Sequence, residues 1–231
     1  MEQKFLIKDG YPLLTLFFSG WGGEECLFAG YRPSGSDFLL CCDYRNLDFD
    51  PSLLDGYRGI KVVAWSLGVW VAGHVLQGKE AGFTEMIAVN GTPVPVDDRY
   101  GIPEQIFKGT LERMDDTVLK KFRRRLCGTA EGLQAFMAHH PSRQAEGLKD
   151  ELACLYEAVR STSGSGAVSG WTCALVGARD RIFPAASQTA AWDGKVPVHV
   201  FDEEHYSERL FRMALESPAG AWSGNTDFSG K

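Results

Sequence analysis

Short runs of consecutive apolar residues alternate along this chain with stretches of helical periodicity. Seven runs predict strands: 5–7, 13–18, 38–42, 60–65, 86–89, 171–176 and 196–201. Turn residues such as Asp9, Gly10 and Pro12 punctuate them. Runs this uniformly apolar are the pattern of strands buried on both faces, as in a parallel sheet joined by crossover helices. Helical periodicity runs from Leu67 to about Gln77 and begins again near Ala185. It also follows His205, where Leu210, Phe211 and Leu215 turn toward the core.

The interval from about 93 to 166 has helical periodicity, dense charge and no clear strand. It lies between two core strands, so it predicts a helical lid inserted into one α/β domain spanning 1–231. The Ser/Gly-rich segment 161–166 is expected to be a flexible return to the core, and the Gly/Ser-rich tail after Pro218 to be frayed. A length of 231 residues suits one good-sized core.

Charge and composition narrow the partners. With 24 basic against 30 acidic residues the chain carries a formal charge of −6, which argues against a general nucleic-acid binder. No apolar run approaches the roughly 18 residues of a membrane helix. The N-terminus from Met1 to Phe5 lacks the apolar core of a signal peptide. A cytoplasmic protein with no membrane association is therefore expected. The six cysteines show no C-x-x-C spacing and read as reduced thiols. No metal and no organic cofactor is implied.

The strongest chemical signal is Ala64-Trp65-Ser66-Leu67-Gly68, where an apolar strand passes into a helix. A serine in such a sharp turn exposes its hydroxyl above the sheet, and small residues two before and two after it let the backbone bend. Ala64 stands where a glycine is usual, a small departure. An ordinary serine N-cap is the competing reading of the pentapeptide alone. A nucleophilic serine needs a base and an acid, in the chain order serine, acid, histidine. His205 lies in the polar loop 202–206 just past the last strand, free to reach a neighbouring loop. His199 is inside that strand, His74 follows the serine on its helix, and His139 and His140 belong to the insertion. The acid expected is Asp180, after the strand ending in Leu175-Val176-Gly177 and before the helix-starting Pro184. Asp43 is the alternative acid, with Asp202 and Glu203 behind it. Three such residues in the required order, each at a strand's C-terminal end, point to a Ser-His-Asp hydrolase.

Two backbone N–H groups would complete such a site by receiving the developing oxyanion. That of Leu67, at the helix start, is one. That of Trp21 is the other, in the glycine-rich loop Ser19-Gly20-Trp21-Gly22-Gly23 after an early strand. Residues Lys120 to Arg125 hold five basic side chains in six, while Val118, Leu119, Phe122 and Leu126 form the apolar stripe of the same helix. Lys121, Arg124 and Arg125 are thereby candidates for binding an acidic partner; Glu112, Asp115 and Asp116 offer the alternative of a balanced surface.

With these residues assembled, the chain resembles the α/β-hydrolases. More narrowly it is similar to the pimeloyl-[acyl-carrier-protein] methyl ester esterases of biotin synthesis, of the short BioG type. The likeness rests on Phe18-Ser19-Gly20-Trp21-Gly22, Ala64-Trp65-Ser66-Leu67-Gly68, Val89-Asn90-Gly91-Thr92-Pro93, Asp180 and His205. It implies a mostly parallel sheet flanked by helices, and hydrolysis of the distal methyl ester of a pimeloyl chain carried on acyl carrier protein. An acidic carrier would suit the basic stripe and would hold the more reactive thioester at the pocket mouth. The rival readings are a broad carboxylesterase or acyl-thioesterase, and a catalytically silent binding protein of the same fold.

Overall fold

The computed structural model describes residues 1–79, 82–162, 170–218 and 220–222. Seven strands form one sheet: β1 (Glu2–Ile7), β2 (Leu13–Phe18), β3 (Ser36–Cys42), β4 (Gly59–Trp65), β5 (Phe83–Val89), β6 (Cys173–Gly177) and β7 (Val198–Phe201). Their order across the sheet is β1-β3-β2-β4-β5-β6-β7. All pairs are parallel except β1 with β3, which run antiparallel. This is the mostly parallel sheet the apolar runs predict, with each of the seven runs on a strand.

The two edges depart from the expected two-sided burial. β1 alternates between exposed and half-buried residues, and Val200 of β7 is exposed. An edge strand has a neighbour on one side only and meets less of the helical covering, so its sequence is apolar without being enclosed. The interior strands β3 and β4 are buried at every position.

Between the strands lie α1 (Glu25–Phe28), α2 (Leu67–Val75), α3 (Glu104–Glu112), α4 (Asp116–Cys127), α5 (Ala130–Ala138), α6 (Ala145–Ser161), α7 (Ala185–Trp192) and α8 (Glu208–Glu216). The short α1 and a 3-10 turn at Pro51–Leu54 carry too few residues to show a period. Helices α3–α6 all fall between β5 and β6. Among them α4 is capped by the Asp115 carboxylate, which accepts the Val118 N–H, and it stops at Gly128, whose φ is +66°. Residues 163–166 of the anticipated flexible return, and the tail beyond 222, lie outside the described residues. Among the described residues no helix is long and apolar enough to cross a membrane.

Register places the site. Trp65 pairs with Val89, Val89 with Leu175, and Gly177 with Phe201. The loops leaving β4, β5, β6 and β7 therefore open on one edge of the sheet, the carboxyl edge where open α/β sheets bind their ligands.

Candidate active site

Ser66 sits between β4 and α2 with φ +59° and ψ −129°, a left-handed conformation costly for any residue with a Cβ. Three close approaches explain how it is held. A Cβ on Gly68 would stand 2.2 Å from the Ser19 carbonyl oxygen, one on Gly91 2.3 Å from the Ser66 carbonyl oxygen, and one on Gly20 2.9 Å from Ser66 Cβ. The turn therefore wedges between the loop after β2 and the loop after β5. Ser66 N–H also donates to the Val89 carbonyl at 3.0 Å.

His205 Nε2 lies 2.9 Å from Ser66 Oγ, and its Nδ1 lies 2.7 Å from Asp180 Oδ2. All three residues are buried. An ionised carboxylate only accepts, so Nδ1 carries the proton and Nε2 is left as the acceptor for the serine hydroxyl. The three residues chosen from sequence order thus form one continuous hydroxyl–imidazole–carboxylate line.

Asp180 is held by further donors. Its Oδ1 accepts the N–H groups of Ile182 at 2.7 Å and Phe183 at 2.9 Å, and its Oδ2 accepts Gln188 Nε2 at 2.9 Å. The base loop is tied down as firmly. Trp65 Nε1 donates to the His205 carbonyl at 3.0 Å. Asn90 Nδ2 donates to the carbonyls of Glu204 and His205, both at 2.9 Å, while its Oδ1 accepts the Gly177 N–H at 2.7 Å. Asn90 therefore joins the ends of β5 and β6 to the loop after β7.

The other candidate residues are engaged elsewhere. Asp43 pairs with Arg45 and Arg143, Asp202 with Arg179, and Glu203 with Arg209 and the Ser207 hydroxyl. His74 is exposed and stacks on Trp70. His139 and His140 follow the last residue of α5, and His139 Nε2 meets Glu208 at 3.2 Å. His199 lies in β7 with its ring against Trp222.

A mostly apolar cleft opens over Ser66 and His205. The sheet side supplies Trp21, Trp65, Leu67 and Ile182; the inserted helices and the loop before them supply Ile102, Ile106, Phe107, Phe122, Leu126 and Leu152. Besides Ser66 and His205, the polar lining residues are Thr110 and Arg125. The Leu67 N–H opens helix α2, where N–H groups have no partner within the helix. The Trp21 loop is clamped from α6: Trp21 Nε1 donates to the Leu148 carbonyl at 2.8 Å, and the Gly22 N–H to Glu151 Oε2 at 3.3 Å. Glu151 is fully buried, accepts the Tyr44 N–H at 3.0 Å and pairs with Arg143 at 2.6 Å. Burial pushes its carboxyl above the ordinary range, with the Arg143 charge opposing.

On α4 the apolar stripe expected from sequence packs inward, and Lys120, Lys121, Arg124 and Arg125 are exposed. Asp115 caps the helix and Glu112 and Asp116 form no bridge to it; among the described residues none of these four cations makes an ion pair. They do not form one uniform face. Arg123 is half-buried over the Phe136 ring, and Arg125 turns toward the cleft, donating to the Arg181 carbonyl at 2.9 Å.

Gln188, Glu151 and the bonds of Asn90 were not foreseen as site features. Gln188 and Glu151 sit within helical patterns where a buried polar residue is indistinguishable from a surface one. Asn90 carried a faint signal, an Asn-Gly directly after an apolar strand.

A family model described as pimeloyl-ACP methyl esterase BioG matches residues 1–214. A Bacteroides fragilis (strain 638R) protein named malonyl-[acyl-carrier protein] O-methyltransferase is 42% identical over 207 residues, covering 89% of this chain and 42% of that protein. The chain therefore spans less than half the length of that relative. The crystal structure of BioG from Haemophilus influenzae is 36% identical, with a TM-score of 0.84, and the match covers 96% of this chain and 100% of that one. A thermophilic esterase from Thermogutta terrifontis has a TM-score of 0.64 at 15% identity, over 92% of this chain and 88% of that one, a likeness of fold alone. The sheet, its flanking helices and these neighbours make this an α/β-hydrolase fold, and the chain belongs to the BioG family of pimeloyl-ACP methyl esterases.

Proposed function

We propose that this chain is a serine esterase acting in biotin synthesis. It hydrolyses the methyl ester of pimeloyl-[acyl-carrier protein] methyl ester to methanol and pimeloyl-[acyl-carrier protein]. The observation that carries this reading is the Ser66–His205–Asp180 line, with contacts of 2.9 and 2.7 Å, at the floor of an apolar cleft in a chain of this family.

Ser66 Oγ attacks the ester carbonyl as His205 Nε2 takes its proton. The N–H groups of Leu67 and Trp21 receive the oxyanion, the first aided by the positive end of α2. Collapse expels the methoxy group, which leaves as methanol with the proton from His205. Water then attacks the acyl-serine and gives a proton to His205, which passes it to Ser66 Oγ as the acyl bond breaks; the acid released ionises to the free carboxylate by losing its proton to solvent. Asp180 fixes the imidazole tautomer throughout. The apolar walls suit a hydrocarbon chain, and Lys121, Arg124 and Arg125 form the landing surface for an acidic carrier protein.

The test is to incubate the protein with pimeloyl-carrier-protein methyl ester and, separately, with a free short-chain ester, following both by intact mass with Ser66→Ala as control. Loss of the methyl group with the thioester intact, much faster than turnover of the free ester and absent in the variant, supports the assignment. Loss of the whole acyl chain, or equal rates on both substrates, replaces it with a broad esterase or thioesterase. No turnover and no labelling of Ser66 by a phosphonate probe would indicate a binding protein.

A further inference from the structure

Gln188 is a fully enclosed polar side chain beside Asp180 that the reaction above does not use. It lies on α7, fully buried, eight residues after Asp180. Both hydrogens of its amide are committed: one to Asp180 Oδ2 at 2.9 Å and one to the Phe183 carbonyl at 2.7 Å. Among the described residues its Oε1 is buried without a hydrogen-bond partner. Leaving an amide oxygen unpaired is costly, and an apolar side chain would fill the same space without that cost. Reversing the amide would point its oxygen at two acceptors. The site therefore holds this residue for its NH2 group.

We infer that Gln188 is a positioning residue for the acid of the triad, sharing Asp180 Oδ2 with His205 Nδ1 and so setting both the carboxylate's orientation and the basicity of the imidazole. The inference rests on the proposed roles of Asp180 and His205. Two donors meet on Oδ2, the imidazole at 2.7 Å and the amide at 2.9 Å, while Oδ1 is filled by two backbone N–H groups. A neutral donor on a carboxylate stabilises its charge and weakens its hold on a neighbouring cation. With Gln188 in place Asp180 divides its charge between two donors and attracts the imidazolium less. Without that donor Asp180 holds the imidazolium more tightly.

The other charges facing this pair stay constant across Gln188 variants. Glu204, beside His205, is held by Arg179 at 2.8 Å, and Glu203 by Arg209 at 3.2 Å. Arg181 flanks Asp180, and Arg125 reaches in from α4. Helix α7 carries no ionisable side chain.

The experiment compares Gln188→Met, which keeps the packing without the donor, and Gln188→Leu, a second apolar replacement that also lacks it. Two readouts are taken: the acidic limb of the kcat/KM profile on a chromogenic short-chain ester, and the NMR titration of His205 in a Ser66→Ala background. Gln188→Met and Gln188→Leu are each expected to raise both midpoints by roughly half a pH unit or more, since Asp180 then keeps its full attraction for the imidazolium. Coincident midpoints in wild type and Gln188→Met, or in wild type and Gln188→Leu should the former not fold, would overturn the inference and leave only a packing role. Full activity in Ser66→Ala alone would instead refute the proposed hydrolysis, and the NMR titration would still decide Gln188.

Discussion

The indole N–H of Trp65 donates to the main-chain carbonyl of His205 at 3.0 Å, so the residue before the proposed nucleophile holds the proposed base. The Trp65 ring is buried and packs edge-on against Tyr206 and Phe211, so the bond is shielded from water. Trp65→Phe keeps an aromatic filling and loses the donor. A buried carbonyl deprived of one partner costs about 1 kcal/mol, and Asn90 Nδ2 still reaches the same oxygen. The expected outcome is a thermal midpoint lower by a few degrees and a kcat reduced about tenfold with KM little changed. Steady-state kinetics on a free ester checks it; an unchanged kcat would show that Asn90 alone suffices.

Gly68→Ala is expected to be far more damaging than its size suggests. The added methyl would lie 2.2 Å from the Ser19 carbonyl oxygen and 2.6 Å from that of Phe18, both main-chain atoms with no room to retreat. Relief requires moving the Trp21 loop away from Ser66. Activity should fall by two orders of magnitude or more, with destabilisation of about 2 kcal/mol or above. Urea unfolding together with phosphonate labelling of Ser66 separates loss of fold from loss of geometry.

Charge reversal at Lys121 and Arg124 tests the landing surface without touching the cleft. Neither residue lines the cleft or forms an ion pair among the described residues. The double variant Lys121→Glu/Arg124→Glu should raise KM for the carrier-borne ester about tenfold or more and leave free-ester turnover unchanged. Wild-type KM for the carrier substrate should also climb with salt, and that dependence should shrink in the variant. Equal KM values in the two proteins would place the carrier elsewhere.

Stability should decline on the alkaline side. Burial pushes the thiols of Cys42, Cys127 and Cys173 each up to about 12. Below their ordinary value near 9 both folded and unfolded chains keep these protons. From there to about pH 12 only the folded chain does, so stability is lost as pH rises. Lys61 acts in the opposite sense: burial lowers it to about 8, with Glu85 opposing, so from about pH 8 to its ordinary range the folded chain is the one that releases a proton. One amine is outweighed by three thiols. Denaturant unfolding under reducing conditions at pH 9, 10 and 11 should show falling midpoints, and Cys173→Ala should flatten the decline.

The interior strands were readable because a buried parallel strand needs an unbroken apolar run, and Leu13–Phe18 matches its strand residue for residue. The proposed triad was readable because its order along the chain follows the order of strands, and every member sits just past one. The antiparallel course of β1 was not, since an edge strand and a core strand share the same apolar residues. Arg125 shows a different limit. Its helical position places it near the outer face, but a long flexible side chain can turn back, and its partner is the Arg181 carbonyl, 56 residues away. Contacts of that reach, like those of Gln188 and Glu151, follow from tertiary packing and leave no local pattern.

Helices α3–α6 leave the sheet after β5, so the outer wall of the cleft, from Ile102 to Leu152, is encoded in one uninterrupted stretch. Ser66, Asp180 and His205 all lie outside it. Exchanging that stretch between relatives would transplant the substrate-facing wall as a cassette, without rewriting a reacting atom. Such a graft has fixed seams, however. Leu126 accepts the Tyr206 N–H, Leu148 the Trp21 indole and Glu151 the Gly22 N–H. A donor segment lacking a carboxylate at the position of Glu151, or a carbonyl in reach of Trp21, would arrive with its own specificity and unseat the loop beside Ser66.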